Sequence, residues 1–488
     1  MSCSMLLFLS FESCLTSGDR SSSPDGPVVL PAAPRGPQEE EEATGPLPDL
    51  SRPDTGTWLT TSPLPILLID VGESIGLDER VGATLEVVTD HAGTLSDLAE
   101  APRVLVTRSM VEVRGSTSAT FPKQSFNLEL QDDLGADQDM SLLGMPAEAD
   151  WILYGPYADK TYIRDALAYT LARRFGGYAP RVRFVELILD GEYQGVYQVT
   201  EKIELDGQRL DFPEPVPADQ TGTYIFKVEG AALGAPGWTS DRGIPYEFHD
   251  PSGSEITRSQ AEWIEDWMDE FEEAMAAGQD PVGWIDLTSF ADHVIVNELA
   301  RNVDAYRRSA FLFKAPNSLG GRLHAGPVWD FNIAFGNADF CDGWNTEGFV
   351  WDSVAVCDHW PEIPFWWHEL LTDARFTDPL RCRWEELRTT VLADEALREA
   401  VASLSASLGE AEPRDHLRWG TLGVAVWPNW YVGATWEDEL TYLLDWTLAR
   451  ASWIDLHLPG TCLRAARTTE RTAPARDRRS GRGRYRPR

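Results

Sequence analysis

Asp330 and Asn332 are the residues whose types and spacing point most clearly to chemistry; they lie in segment 326–336, which reads GPVWDFNIAFG. On a β-strand, a spacing of two places both side chains on the same face. Two oxygen ligands on one strand face suit Mg²⁺ or Mn²⁺, and such a cation commonly bridges the phosphates of a nucleotide. The alternative, which the pair taken alone favours, is a strand end with two solvated polar residues.

Three upstream segments add to this pair. They are residues 114–126 (RGSTSATFPKQSF), 178–203 (YAPRVRFVELILDGEYQGVYQVTEKI) and 297–306 (NELARNVDAY). In this order, and followed by 326–336, they resemble the spore-coat protein H (CotH) family of atypical, secreted protein kinases. The resemblance covers roughly residues 100–457. A single piece such as the RGxS loop is a weak signal, whereas the ordered set is fairly specific.

The resemblance implies an α+β, two-lobed atypical protein-kinase-like fold. Its β-rich N-lobe would span about 61–255 and its mainly helical C-lobe about 256–463. The implied activity is transfer of the γ-phosphate of ATP, with Mg²⁺ or Mn²⁺, to Ser or Thr hydroxyls of a protein on the cell or spore surface. In this family an Asp at the place of Asp304 serves the catalytic step, and the Asp of the W-D-F motif, here Asp330, binds metal together with Asn332.

Other residues are candidates for nucleotide binding. Lys123 follows a loop of small residues and leads a strand-like pattern, so we expect its ammonium to reach the α- and β-phosphates; the alternative is a lysine on a strand surface. Arg114 is expected to assist with the phosphates. Glu201 and Lys202 close another strand and are expected to line the adenine or ribose, unless they form an exposed hairpin end. Lysine is scarce, with only five residues, so a retained one such as Lys227 draws attention.

Two departures from the resembled family weaken the expected metal site. The family commonly has a second Asp where this chain has Asn332, which offers a carbonyl oxygen but no charge. Protein kinases also place a metal-binding Asn five residues after the catalytic Asp, and that position here is Ser309. The alternative function is therefore a catalytically weak, pseudokinase-like surface module for adhesion, carbohydrate binding or assembly. A Trp-rich C-terminal half fits a carbohydrate-binding face, although core packing is the more ordinary use of Trp.

Charge and motifs exclude several function classes. The formal net charge is −36, and the tail 464–488 carries ten Arg against two acidic residues, which leaves −44 on residues 1–463. So acidic a body repels nucleic acid, whereas the basic tail reads as disordered. The sequence contains no P-loop, no G-x-S-x-G and no H-E-x-x-H motif, and no C-x-x-C pair for zinc. No apolar run approaches the length of a membrane span.

The N-terminal region reads as targeting and linker sequence. Residues 5–14 form a short apolar run that ends at Cys14, a candidate lipid attachment site, and residues 15–60 are rich in Ser, Pro, Gly and Glu. We expect a secreted or cell-surface protein. In an exported protein, Cys341 is expected to pair with Cys357, and Cys382 with Cys462.

Periodicity predicts the elements that must position these residues. Alternating apolar residues predict strands at 64–70, 84–89, 104–113, 126–130, 184–189, 195–200 and 224–228, with a strand-rich region at 326–336. A 3.6-residue period predicts helices at 162–175, 287–301, 380–392, 394–408 and 436–457, and a further helix that starts with a capping box from Ser259 to Glu262.

Overall fold

The computed structural model of the chain describes residues 59–463, except for 78, 91–94, 230–235, 353–356 and 358–361. The predicted targeting segment and linker lie almost entirely outside the described residues, and the basic tail lies wholly outside them. The described part is mixed α+β, as predicted.

The strands of the described part form a barrel, a five-stranded sheet and a small pair. In chain order they are β1 (Thr61–Ser62), β2 (Ile66–Asp70), β3 (Val81–Val88), β4 (Ser96–Asp97), β5 (Arg103–Arg114), β6 (Ser125–Gln131), β7 (Asp150–Tyr154), β8 (Val182–Leu189), β9 (Glu192–Glu201), β10 (Tyr224–Val228), β11 (Gly237–Thr239), β12 (Pro245–Asp250), β13 (Ala310–Lys314) and β14 (Leu323–Ala325). The barrel order is β2-β3-β5-β6-β7-β9-β8, the sheet order is β11-β12-β10-β13-β14, and β1 pairs with β4.

Eight α-helices follow or interrupt these strands in the described residues. They are α1 (Arg164–Phe175), α2 (Arg258–Ala276), α3 (Leu287–Ala300), α4 (Phe365–Thr372), α5 (Ala374–Arg388), α6 (Asp394–Ala406), α7 (Ala411–Trp419) and α8 (Trp436–His457). The helices predicted within 162–175, 287–301, 394–408 and 436–457 are confirmed to within two residues at each end. The helix predicted at 380–392 begins earlier, at Ala374, and ends at Arg388, and neither α4 nor α7 was predicted.

Local sequence explains where the main helices start. Asp286 caps α3, because its side chain accepts a hydrogen bond of 2.8 Å from the backbone N–H of Ser289. The capping box predicted at Ser259 is wrong by two residues. It is formed by Thr257 and Gln260, since Thr257 precedes the first helical residue and its side chain accepts from the Gln260 backbone.

Two hydrophobic cores organise the described part. The barrel interior packs side chains such as Leu85, Leu128 and Val199. A larger core joins α1, α3 and α5 to one face of the five-stranded sheet, and Trp366, Trp367, Trp384 and Trp446 are fully buried in it. Most of the C-terminal Trp side chains therefore serve packing, whereas Trp427 stays 52% exposed.

The strand predicted at 326–336 is wrong. Asp330 and Phe335 have positive φ angles of 63° and 51°, which no strand accommodates. The apolar residues of this segment are buried around irregular backbone, and side chains from α1 satisfy that backbone: Asp165 accepts from the Phe331 N–H at 2.6 Å, and the Tyr169 hydroxyl accepts from the Asp330 N–H at 3.2 Å. In the sequence, a buried apolar segment whose backbone N–H groups donate to side chains cannot be distinguished from a buried strand.

Both predicted disulfides are present. Cys341 is bonded to Cys357 across 16 residues, and Cys382 is bonded to Cys462 across 80 residues. Among the described residues, no helix combines the length and the apolar character that crossing a membrane requires.

Candidate functional site

The end of α3 sets the position of Asp304. The helix terminates at Arg301, which adopts the left-handed conformation with φ of 43° although it is not glycine. Its buried guanidinium donates to the carbonyl oxygens of Asp342, Glu347 and Gly348 at 2.6–2.9 Å. These hydrogen bonds offset the unfavourable backbone conformation and hold the turn that carries Asp304.

Asn302 joins this turn to the 326–336 segment. Its side-chain Nδ2 donates to the backbone oxygen of Asp330 at 3.0 Å, and its Oδ1 accepts from the backbone N–H of Asp304 at 3.1 Å. The two predicted acidic residues therefore lie on adjacent turns that share one amide.

The electrostatics of Asp330 confirm that charged groups surround it. The pKa of Asp330 is raised to about 7: burial is the largest cause, the carboxylates of Asp304 and Glu229 act in the same direction, and Arg114 and Lys227 oppose the shift. A carboxyl with so high a pKa beside a second carboxylate is short of compensating positive charge. Such a group favours a cationic ligand.

Arg114 is the predicted phosphate ligand that does lie at Asp330. It is the last residue of β5, its guanidinium lies 5.9 Å from the centre of the Trp329 ring, and Trp329 stacks on Tyr169. Burial lowers the pKa of Arg114, and the negative charges of Asp330 and Asp165 oppose that shift. The Arg114 guanidinium therefore lies beside the Trp329 ring and within reach of the negative charges of Asp330 and Asp165.

Lys227 and Glu229 reach the same place from β10. Lys227 forms ion pairs with Glu229 at 3.5 Å and with Glu247 at 3.1 Å, and the backbone N–H of Ser309 donates to Glu229 at 3.2 Å. The sequence singled out Lys227 only through the scarcity of lysine and gave Glu229 no role. No local pattern marks them, since β10 pairs with β13 across more than eighty residues.

Asp165 is a further acidic residue beside Asp330 that the sequence did not reveal. Burial, and then the charge of Asp330, raise its pKa well above the ordinary value, while the hydrogen bond from the Phe331 N–H opposes that shift. An Asp in the first turn of a helix is an ordinary helix-stabilising choice. Its position at the start of α1 therefore gave no sign of its contact with the turn that carries Asp330.

Lys123 lies elsewhere. It is 1% exposed, forms an ion pair with Asp415 of α7, and sits 5.3 Å from the ring centres of Tyr162 and Tyr197. The surface-strand alternative for Lys123 is wrong, because this lysine is buried and the strand β6 begins two residues later. Its predicted contact with nucleotide remains a prediction, and the structure does not bring it to Asp330.

Glu201 and Lys202, at the end of β9, have different surroundings. Glu201 is fully buried and accepts from the guanidinium of Arg181 at 2.7 Å, so the pair does not form an exposed hairpin end. Lys202 is about one-third exposed and forms ion pairs with Asp150 and Glu204 at 3.4–3.5 Å. Neither contacts the carboxylates of the candidate site through a described hydrogen bond or ion pair.

Asn332 does contact Asp330, although not from a shared strand face. Its Nδ2 donates to Asp330 Oδ1 at 2.8 Å, and its own backbone oxygen accepts from Asn337 at 2.8 Å. The amide therefore presents its donor end to the carboxylate, and a half-turn about its last torsion would present the carbonyl oxygen instead.

Backbone strain concentrates in this part of the described chain. Of the ten described non-glycine residues with positive φ, seven lie between 301 and 342: Arg301, Tyr306, Ser309, Asp330, Phe335, Cys341 and Asp342. Each such residue costs on the order of 1–3 kcal/mol and persists where the surrounding structure enforces it. The clustering is typical of a functional site.

Comparison with known families decides the identity of this domain. Residues 111–454 match the model of the family described as CotH kinase protein. The chain belongs to the CotH kinase family. No curated protein matches the chain. The match contains every residue of the predicted site.

The donor set of this CotH-family site fits a divalent cation that is shared with a nucleotide. In the described residues, no group of three or more His, Cys, Asp and Glu side chains is arranged to hold a metal ion. Mg²⁺ bound with a nucleotide commonly takes only one or two carboxylates and completes its shell with phosphate oxygens and water. Asp330, with Asp304 as a neighbouring carboxylate, fits that requirement.

Proposed function

We propose that this CotH-family chain is a protein kinase that transfers the γ-phosphate of ATP to Ser or Thr hydroxyls of an extracellular or surface protein. The observation that carries the proposal is the joint placement of Asp304 and Asp330 on two turns bridged by Asn302. The proposal includes the two-lobed, kinase-like arrangement, with lobes near 61–255 and 256–463. Its cofactors are ATP and Mg²⁺ or Mn²⁺.

In this mechanism Asp304 acts on the acceptor. The acceptor hydroxyl oxygen forms a bond to the γ-phosphorus while the bond between that phosphorus and the β,γ-bridging oxygen breaks. The hydroxyl proton passes to the carboxylate of Asp304, and ADP leaves with the bridging oxygen. The turn after α3 suits this role, because the hydrogen bonds from Arg301 to the 342–348 loop fix its position.

Asp330 would hold the cation, with the carbonyl oxygen of Asn332 as its second side-chain ligand. The bound cation would neutralise charge on the β- and γ-phosphates. Arg114 and Lys227, whose charges already act on Asp330, supply fixed positive charge for the phosphate oxygens. Lys123, Glu201 and Lys202 keep their predicted nucleotide roles only if binding rearranges the contacts described above.

Phosphate transfer tests the proposal directly. Wild type, Asp304→Ala and Asp330→Ala are incubated with labelled ATP, a Ser- and Thr-containing acceptor protein, and Mg²⁺ or Mn²⁺. We expect both variants to lose at least 100-fold in rate, whereas Asp339→Ala, a control in the loop that follows the site, keeps the rate of wild type. Equal incorporation by all four proteins would refute the assignment.

The alternative function is a catalytically weak, pseudokinase-like surface module for adhesion, carbohydrate binding or assembly. Two observations favour it: Lys123 is committed to Asp415, and Asn332 turns its amide donor toward Asp330. The exposed Trp427, stacked on Phe340 at 5.9 Å, offers a platform of the kind that sugars use. A thermal shift with ATP and Mn²⁺ that Arg114→Ala removes would favour the kinase, and no shift at millimolar nucleotide would favour the module.

The proposed location is outside the cell or on its surface, with Cys14 as a candidate lipid attachment site. The two disulfides support this proposal, since such bonds persist in oxidising compartments. Recovery of the protein from its native compartment with four free thiols at these positions, under alkylating conditions, would contradict it.

A further inference from the structure

We propose that Asn302 is a positioning residue that sets the distance between Asp304 and Asp330 through its side-chain amide. The inference rests on the proposed function for its kinetic consequence, although its geometry stands by itself. Asn302 contacts neither of the two carboxyl groups through its own side chain in the described hydrogen bonds. It contacts the backbone on which each carboxyl group is carried.

An amide suits this position because it combines one donor and one acceptor on a short, rigid stem. The donor reaches the backbone oxygen of Asp330 and the acceptor receives the backbone N–H of Asp304, at 3.0 Å and 3.1 Å. A carboxylate of the same shape would accept from Asp304 but repel the oxygen of Asp330. A methyl group would satisfy neither buried backbone group.

The backbone of Asn302 is itself fixed, so the amide is presented at a defined place. Its N–H donates to the Asn297 oxygen at 3.1 Å, as in the terminal hydrogen bond of a Schellman motif, and its oxygen accepts from the Ala305 N–H at 2.9 Å. Asn302 is 3% exposed. Little freedom remains for water to replace either side-chain hydrogen bond.

Hydrogen bonds from other elements also hold the Asp330 turn and the Asp304 turn, and Asn302 connects the two turns. Asp165 and Tyr169 accept from the N–H groups of Phe331 and Asp330, and so tie that turn to α1. Arg301 ties the Asp304 turn to the 342–348 loop. Each turn is thus held to a different element, and a backbone hydrogen bond of 2.7 Å from the Phe335 N–H to the Ala300 oxygen joins the two segments away from the acidic residues. The Asn302 amide is the link that reaches the backbone of Asp304 and of Asp330. Loss of the amide would let these two residues move relative to each other.

Loss of the Asn302 amide should affect the rate of phosphate transfer more than the affinity for nucleotide. A misplacement of about 1 Å in a catalytic constellation costs on the order of 100-fold in rate. Arg114 and Lys227 approach the phosphates from β5 and β10, and neither depends on Asn302 for its position. We therefore expect kcat to fall by about 10- to 100-fold in Asn302→Ala, whereas the Kd for Mn²⁺–ATP changes by less than about fivefold.

The matched control is Asn297→Ala. Asn297 is also a 3% exposed asparagine, and it lies in the last turns of α3, where its side chain donates to the His293 oxygen of the same helix. Its loss removes a buried amide without touching either acidic turn. The expected result is a similar decrease in melting temperature with kcat close to wild type.

A readout without nucleotide separates this inference from the proposed function. Amide hydrogen exchange of Asp304 in the full chain should accelerate at least tenfold in Asn302→Ala, which removes the acceptor of that N–H, and stay unchanged in Asn297→Ala and in Asn302→Asp, which keeps an acceptor oxygen. Unchanged exchange and unchanged kcat in a folded Asn302→Ala would overturn the inference. If Asn302→Ala does not fold, Asn302→Leu decides by the same two measurements, because it also removes both side-chain hydrogen bonds but fills the buried space. A wild-type protein that shows no phosphate transfer would count against the proposed kinase, while the exchange result would still decide the role of Asn302.

Discussion

Lys123 and Asp415 form an ion pair that is buried between the segment before β6 and helix α7. Their side chains are 0% and 2% exposed, and Asp415 also accepts from the Tyr162 hydroxyl at 2.9 Å and from the Val196 N–H at 2.6 Å. Burial lowers the pKa of Lys123 and raises that of Asp415, and the pairing opposes both shifts. The contacts of Lys123 in the described structure therefore indicate a role in stability.

The first prediction separates a structural role of Lys123 from a nucleotide role. Lys123→Ala leaves Asp415 buried without its counter-charge, which typically costs about 3–5 kcal/mol. We expect a correspondingly lower free energy of unfolding by denaturant titration. The folded variant should keep the thermal shift that ATP and Mn²⁺ produce. Loss of that shift with unchanged unfolding free energy would instead assign Lys123 to the nucleotide.

The second prediction is the pH dependence of cation-dependent nucleotide binding. Only the ionised form of Asp330 is a good ligand, and its pKa is raised to about 7. Affinity for Mn²⁺–ATP should therefore weaken as pH falls through 7, and calorimetry between pH 5.5 and 8.5 measures this. In Asp330→Asn the affinity should be low and flat across the range. A wild-type profile with its midpoint near pH 4 would contradict the burial argument.

The same residue predicts a stability effect with a definite sign. The folded pKa of about 7 exceeds the ordinary value of 3.8, so the folded state binds the proton more tightly than the unfolded state. The stability that protonated Asp330 gives the folded state is fully present below about pH 3.8 and is lost as pH rises through 7. Asp330→Asn should thus stabilise the fold by about 2–4 kcal/mol at pH 8 and by much less at pH 5. Equal effects at both values would show that Asp330 titrates normally.

How far the sequence predicts this site depends on how local each feature is. The end of α3 near Asp304 and the W-D-F motif are encoded within a few residues, so both were located. The proximity of Asp330 to Lys227 and Glu229 depends on the packing of β10, and that of Asp330 to Asp165 depends on the packing of α1. No periodicity in one sequence encodes those long-range contacts.

The 326–336 segment shows why one element was assigned wrongly. Its alternation of apolar and polar residues satisfied the strand pattern, and its burial satisfied the expectation of a buried strand. At its centre, the N–H groups of Asp330 and Phe331 donate to the side chains of Tyr169 and Asp165, whereas in a strand they would bond to a neighbouring strand. Sequence patterns record burial well but do not record which group satisfies the backbone. Strand β5 shows a related limit, since Val104 and Val106 are exposed while Val111 and Val113 face the barrel core.

The third prediction concerns the charge at Asn332. Asn332→Asp places a second carboxylate next to Asp330, and hard-cation affinity rises with ligand charge. The Mg²⁺ or Mn²⁺ concentration for half-maximal nucleotide binding should fall, by about tenfold, and phosphate transfer should rise if cation occupancy limits it. Without cation, two adjacent carboxylates should lower the melting temperature. Identical midpoints for wild type, Asn332→Asp and Asn332→Ala would remove Asn332 from the cation site.

The fourth prediction links the Cys341–Cys357 disulfide to catalysis. This bond closes the loop whose carbonyl oxygens, from Asp342 to Gly348, receive the guanidinium of Arg301. Closure of a loop of this size stabilises the fold by roughly 3 kcal/mol. Opening it by Cys341→Ser with Cys357→Ser should loosen the turn that carries Asp304, because Arg301 loses fixed acceptors. We expect a lower melting temperature together with at least a tenfold lower kcat.

The second disulfide provides the control for this prediction. Cys382 and Cys462 join α5 to the segment after α8, and their bond fixes none of the carbonyl oxygens that Arg301 contacts. Cys382→Ser with Cys462→Ser should lower the melting temperature but leave the kcat of the folded protein close to wild type. The kcat values of the two double variants are measured at a temperature well below both melting temperatures, so that both proteins are fully folded. Equal kcat in the two would mean that the 341–357 loop does not transmit its position to Asp304, and that Arg301 holds the helix end without help from the disulfide.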